Sequence, residues 1–318
     1  MRVLSLFLHI MALTVSAQQQ AADEPGVTFR TGVSLVRVDA QVLAGERLVT
    51  GLGKADFQIT DQGERREILD VTADRDPLDL LLLLDVSGSM RDAIAEVSRV
   101  SERALRQLHP GDRVALATFT SVWRLVVPFT GELDQIATAV EVLLTQRFDG
   151  GTDILRALDE AAAEFGRQTR TGRRRAVILI SDGKAPHYFR DQQTLEQLWR
   201  SEVVVDALLV RSKSKESSLP LDMNKMTAAT GGEAIKVDKP GAAFEEMMDR
   251  VRRRYSIYYA LPEGREGEQR TVEVDLTPTA RKRLGKVRVS ARKGYIWKAE
   301  SHAASAGSSS DRRSATQP

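Results

Sequence analysis

Three short stretches of this 318-residue chain carry oxygen side chains at spacings suited to a hard cation. Asp85-Val86-Ser87-Gly88-Ser89-Met90 sets one carboxyl and two hydroxyls on alternate residues. Asp149-Gly150-Gly151-Thr152-Asp153 offers a hydroxyl in a glycine-opened loop, and Ser181-Asp182-Gly183 offers a second carboxyl. Convergence of Asp85, Ser87, Ser89, Thr152 and Asp182 would make an all-oxygen site. Mg²⁺ favours octahedral oxygen ligation and keeps some of its water. Two carboxylates balance its charge, and three neutral hydroxyls leave it electrophilic toward an incoming carboxylate. Mn²⁺ and Ca²⁺ accept the same donors, since oxygen ligation alone selects weakly among these ions. Gly88, Gly150 and Gly151 permit the tight turns that would aim the hydroxyls.

Each piece alone has a plainer reading. Ser and Asp at helix starts are usually caps, which would account for Asp85. Asp182-Gly183 alone is a turn, and Gly150-Gly151-Thr152 a flexible lead into a helix. The inference rests on the three stretches together. Known catalytic patterns are absent. A phosphatase that begins with Asp after a buried strand needs a second Asp two residues on, where this chain has Ser87. There is no GxxxxGK[ST] segment and no G-x-S-x-G elbow, and the chain has four histidines. His109 stands at a helix end beside Pro110, and His187 lies in the loop after Asp182.

The elements that must position these residues can be read from hydropathy. Leu80–Leu84 is a continuous apolar run, as are Val114–Phe119, Ala176–Ile180 and Val203–Val210. Unbroken apolarity predicts strands covered on both faces, as in a parallel sheet between helices. Helical faces lie between them: Ile94 to Leu108, Leu133 to Leu144, Ile154 to Phe165, Leu195 to Trp199, and Phe244 to Tyr255. Val114–Phe119 and Val122–Val127 are joined only by Thr120-Ser121, so this pair must be a hairpin with one antiparallel edge strand. The expected fold is α/β: a doubly wound, mostly parallel sheet with helices on both faces. Such sheets bind ligands beyond the carboxyl ends of their strands, where Asp85 and Asp182 both fall.

Strand texture of another kind flanks this block. Val36, Val38, Ala40 and Val42 alternate with polar residues, which predicts a half-buried strand, and Phe57 with Ile59 repeats the pattern. After Tyr255 come Ile257–Leu261, Thr271–Leu276, Val287–Ser290 and Tyr295–Trp297. A set of about four strands is marginal alone, whereas two sets make an ordinary sandwich, so residues 27–75 and 256–298 are expected to pair.

At the cation-suited residues the chain resembles the von Willebrand factor type A domain family. Asp85-x-Ser87-x-Ser89 matches its metal-ion-dependent adhesion site in full, Thr152 its second-loop threonine and Asp182 its third-loop aspartate. The resemblance covers residues 78–255. It implies a six-stranded sheet of Rossmann type with one antiparallel edge, and a non-enzymatic binding role in which an acidic residue of a protein ligand completes the coordination of Mg²⁺. It further implies that Ser87, Ser89 and Thr152 ligate directly while Asp85 and Asp182 act mostly through water. The arrangement of the whole chain also looks like that of exported bacterial proteins of this type.

The ends and the composition bound the rest. Residues 1–17 have Arg2, an apolar stretch from Val3 to Val15 and small residues before Gln18, the pattern of a secretory signal peptide. A polar linker, 18–26, follows, and residues 299–318 are a Ser-, Ala- and Arg-rich tail expected to be disordered. No later stretch is long and apolar enough to span a bilayer, so a periplasmic or secreted protein is expected. A net charge of +2 gives no footprint for nucleic acid. The absence of cysteine removes disulfides, thiolate metal sites and thiol catalysis. The expectation is an exported adhesion or binding module; a structural protein working through its β flanks is the alternative, and a metal-dependent hydrolase stands behind both.

Overall fold

The computed structural model describes residues 34–168, 172–183, 190–211 and 222–299. The expected signal peptide and linker, the tail beyond Ala299 and the loop carrying His187 lie outside them. In chain order the first strands are β1 (Leu35–Ala44), β2 (Arg47–Leu48), β3 (Phe57–Asp61), β4 (Glu64–Arg66) and β5 (Ile68–Ala73). The α/β block follows: β6 (Leu78–Asp85), α1 (Arg91–Leu105), β7 (Arg113–Phe119), β8 (Trp123–Thr130), α2 (Leu133–Leu143), α3 (Ile154–Arg167) and β9 (Arg174–Ser181). It continues through α4 (Asp191–Arg200), β10 (Val203–Val210), α5 (Met223–Thr230), β11 (Ala234–Val237) and α6 (Pro240–Arg252). Last come β12 (Tyr255–Ala260), β13 (Gln269–Leu276), α7 (Pro278–Leu284), β14 (Arg288–Ala291) and β15 (Gly294–Ile296).

β6 is buried along its whole length because helices cover both of its faces. Leu78, Leu80, Leu82 and Leu84 enter one core with Ile94 and Val97 of α1, Val140 of α2 and Phe244 of α6. Leu81 and Leu83 enter the other with Leu155, Leu158 and Phe165 of α3. The sheet runs β11-β10-β9-β6-β7-β8, parallel throughout except for the antiparallel β7–β8 pair at one edge. The hairpin link is Thr120–Val122, one residue longer than expected, with Val122 in the turn instead of the strand. Five elements escaped the periodicity reading: the short strands β2, β4 and β11 and the helices α5 and α7. Both helices are short and carry caps: Asp222 accepts from Lys225 N–H at 3.2 Å, and Thr277 from Ala280 N–H at 3.3 Å.

The flanking strands interleave. β12, from after the α/β block, lies antiparallel between β1 and β5, from before it, in the order β14-β1-β12-β5. The second sheet, β15-β13-β3-β4, mixes the two ends in the same way. Val36, Val38, Ala40 and Val42 pack with Ile59, Ile257, Tyr259 and Val272 in the core between them.

The alternation in β1 does not mean a solvated polar face. Arg37, Asp39 and Gln41 are buried as well, because that face of the sheet meets the α/β block. Arg37 donates to the carbonyl of Arg173 at 2.7 Å, and Gln41 to Glu233 at 3.1 Å. Arg174 donates to the carbonyls of Val251 and Arg252 at 2.6 and 2.8 Å and stands 3.5 Å from Asp39. Hydrogen bonds at this junction are what make burial of so much charge tolerable. The α/β layers and the sandwich belong to one compact unit.

Candidate functional site

β6, β7 and β9 end at the same rim of the sheet, which fixes where the polar loops begin. Leu84 pairs with Ile180 of β9 and with Thr118 of β7, so Asp85 and Ser181 leave the sheet side by side. Asp85 is fully buried. Its carboxylate accepts the backbone N–H of Ser87 at 2.9 Å and the hydroxyl of Ser181 at 2.7 Å. Ser181 in turn accepts the N–H of Gly183 at 3.1 Å, which shapes the turn carrying Asp182. From that turn Asp182 accepts the Ser89 hydroxyl at 2.9 Å, joining the first and third polar stretches.

Burial pushes the Asp85 carboxyl above its ordinary value; the Ser181 and Ser87 hydrogen-bonding groups oppose this, and the nearby Asp182 charge adds to it. The Ser87 hydroxyl is near enough to ease the carboxylate charge, yet its Oγ is buried and meets no partner with hydrogen-bonding geometry. A buried hydroxyl without a partner is expensive, and such atoms call for a ligand or a functional reason. The capping explanation fails here. Ser87 precedes a single 3₁₀ turn, Gly88–Met90, without capping it, and α1 has no side-chain cap.

The backbone leading into the second stretch reaches the first. A Cβ on Gly88 would stand 3.7 Å from the carbonyl oxygen of Phe148. Gly150, at φ +95°, brings its backbone so close to the hairpin that a Cβ would lie 3.5 Å from that of Thr120. Asp153 N–H donates to the Thr120 carbonyl at 3.0 Å. Between these anchors Thr152 is half-buried. Asp153 itself is the N-cap of α3, accepting from Arg156 N–H at 3.0 Å. Two residues outside the five candidate ligands contribute to this rim: Ser181, which holds Asp85, and Thr120, which ties the hairpin to the Thr152 loop. Ser181 was visible in the Ser-Asp-Gly stretch; the part played by Thr120 depends on a contact between distant segments.

The donor set, two carboxylates, Asp85 and Asp182, among hydroxyls, is of the kind a hard cation accepts. Among the described residues no group of three or more His, Cys, Asp or Glu is placed to hold a metal. His109, the histidine within the described residues, sits at the opposite end of the sheet, its ring Nδ1 2.6 Å from Arg252 Nη2 and its backbone N–H on Asp112. The rim therefore has neither a thiolate nor a described imidazole for acid–base or nucleophilic chemistry.

Residues 80–184 match the family described as the von Willebrand factor type A domain. Over these residues the chain is similar to that family. The match spans about a third of the chain and includes all three polar stretches. A von Willebrand factor type A protein from Catenulispora acidiphila is similar in structure, at 14% identity over 86% of this chain and 77% of that one, with a TM-score of 0.47. An aerotolerance-related membrane protein from Bacteroides fragilis shares 18% identity over 55% of this chain and 98% of its own, at 0.44. The pilus adhesin SpaC from Lactobacillus rhamnosus GG, in an open conformation, shares 13% over 75% and 47%, at 0.45. No curated protein sequence matches the chain. Domains of this family commonly bind a divalent metal and are generally non-catalytic binding modules. Among the described residues no helix is long and apolar enough to cross a membrane.

Proposed function

We propose that this chain is an exported, non-enzymatic binding module that captures a protein ligand through Mg²⁺ at the rim formed by β6, β9 and the Thr152 loop. The observation that carries the reading is the buried Ser87 hydroxyl, without a hydrogen-bond partner beside a buried carboxylate. Ser87, Ser89 and Thr152 would hold the ion directly, and Asp85 and Asp182 through water. The ion supplies an electrophile that an acidic side chain of the partner completes. The chain's own residues do the rest. Asp85 and Asp182 offset the cationic charge, Ser181 holds Asp85 in place, and the three hydroxyls leave the rim attractive to an anion. The Asp85 carboxyl, pushed up by burial, gains from a neighbouring cation, since an opposite charge favours its ionised form. Export rests on the leader pattern of residues 1–17, with periplasm or medium as the destination.

Calorimetry on the mature chain tests the metal, and a pull-down from the exported fraction tests the capture. Weak Mg²⁺ or Mn²⁺ binding is expected for the wild type and none for Asp85→Ala. Partner recovery should disappear in EDTA and with Thr152→Ala. Equal metal binding by Asp85→Ala, or capture that survives chelation, rejects the reading in favour of a structural role for the β flanks.

A further inference from the structure

The tip of the β7–β8 hairpin stands beside the candidate metal loops and presents an aliphatic side chain to solvent. Val122 is 63% exposed, more than Leu69 or Val142, the other exposed large apolar residues among those described. A single exposed valine is ordinarily unremarked. Two observations set this one apart. First, the tip is closed by a backbone hydrogen bond and tied to the loop that carries Thr152. Thr120 N–H donates to the Val122 carbonyl at 3.1 Å, and Asp153 N–H to the Thr120 carbonyl at 3.0 Å. Trp123, the next residue, is half-buried against the core that includes α3 and anchors the base of the tip. Second, the exposed Arg156 places a guanidinium on the same tip, donating to the Ser121 carbonyl at 3.2 Å. No carboxylate among the described residues neutralises it. An apolar group and a cation set side by side on a hydrogen-bonded turn lose less freedom on binding than groups on an untied loop.

Resting on the metal-capture reading above, we propose that the partner's metal-seeking carboxylate lies in an acidic–apolar segment, in which an aliphatic or aromatic neighbour packs on Val122 and a second acidic group meets Arg156. The apolar contact supplies affinity through buried area, and the guanidinium supplies orientation and speed of encounter. Selection for such a segment, in preference to any exposed carboxylate, would follow from the tip and not from the ion.

The full mature chain would be passed over three immobilised synthetic peptides built around Gly-Asp-Gly, Leu-Asp-Leu and Leu-Asp-Leu-Glu, with Mg²⁺ present, and affinity read by interferometry. Leu-Asp-Leu should be held roughly three- to tenfold more tightly than Gly-Asp-Gly, the gain from burying part of one aliphatic contact. The added Glu should contribute about two- to threefold more, fading with salt. Val122→Ser should remove the first preference and Arg156→Gln the second, both leaving Gly-Asp-Gly affinity unchanged. Equal retention of all three peptides, or a leucine preference that survives Val122→Ser, overturns this proposal alone. Retention of none in Mg²⁺, or retention indifferent to EDTA, overturns the metal-capture reading and this one with it.

Discussion

Replacing Ser87 with alanine should move stability and metal binding in opposite directions. In the metal-free protein the Ser87 Oγ is buried without a hydrogen-bond partner. Leaving such a group unsatisfied costs roughly 1–3 kcal/mol, whereas an ordinary intramolecular hydrogen bond contributes about 1 kcal/mol. Ser87→Ala removes the desolvated oxygen and keeps the Ser87 N–H bond to Asp85, which is made by the backbone. The variant should therefore be more stable than wild type in EDTA by at most about 1 kcal/mol, the low end of that range because the oxygen's packing and its easing of the Asp85 charge are lost too. In Mg²⁺ the order should reverse. A ligand at a hundredfold excess over its dissociation constant stabilises by about 2.7 kcal/mol. For a protein of this size that is a rise in Tm of roughly 4–5 °C. Wild type should show the rise and Ser87→Ala should lose most of it. Urea and thermal unfolding, each in EDTA and in saturating Mg²⁺, supply the four values needed. A metal-free Ser87→Ala protein less stable than wild type would mean that the serine is an ordinary structural residue. An undiminished Mg²⁺ response would remove Ser87 from the site.

Two further outcomes concern the junction between sandwich and α/β block. Arg254 donates to both oxygens of the fully buried Asp206 at 2.8 and 3.0 Å, so Asp206→Ala should cost roughly 3–5 kcal/mol by stranding a buried charge. Because burial still pushes the Asp206 carboxyl up despite Arg254, the pair recovers its desolvation poorly; the double change Asp206→Leu with Arg254→Met should recover most of the loss in chemical unfolding, and a strictly additive loss would refute this. Acid should loosen the same junction. Burial pushes Asp39 and Glu233 up, but Arg174 and Arg37 around the first, and Arg250 and Arg288 around the second, bring both below their ordinary values of 3.8 and 4.5. A depressed carboxyl stabilises fully above its unfolded value and loses that contribution as pH falls through the folded one, so unfolding midpoints should hold near neutrality and drop below about pH 4. Glu233→Gln should make that drop shallower, and an unchanged slope would show that the acid sensitivity lies elsewhere.

Much of the architecture was legible because it depends on local pattern. Leu80–Leu84 could be read as a strand covered on both faces, since only such a strand tolerates leucine on each side of the pleat. The link at Thr120 was too short for anything but a hairpin. The short helices α5 and α7 were less legible by periodicity, since eight and seven residues give too few turns for a clear apolar face. Their caps, Asp222 and Thr277, were the better signal.

The sequence by itself determined the chemistry on offer: three oxygen-bearing stretches, each placed where a buried strand ends or a helix begins, and an α/β order that brings such ends to one rim. Only the tertiary structure decided which of those oxygens meet. Ser89 and Asp182 are 93 residues apart yet hydrogen-bonded, and the Ser87 hydroxyl is left without a partner by the packing around it. It also decided the fate of the polar face of β1. Alternating residues state that a strand has two unlike faces, and nothing in that pattern says whether the polar one meets water or another part of the protein. Arg37 and Asp39 are buried because distant segments, Arg173–Arg174 and the end of α6, bring hydrogen-bonding groups to them. Long-range partners of that kind are properties of the folded chain, since their neighbours in sequence carry no trace of them.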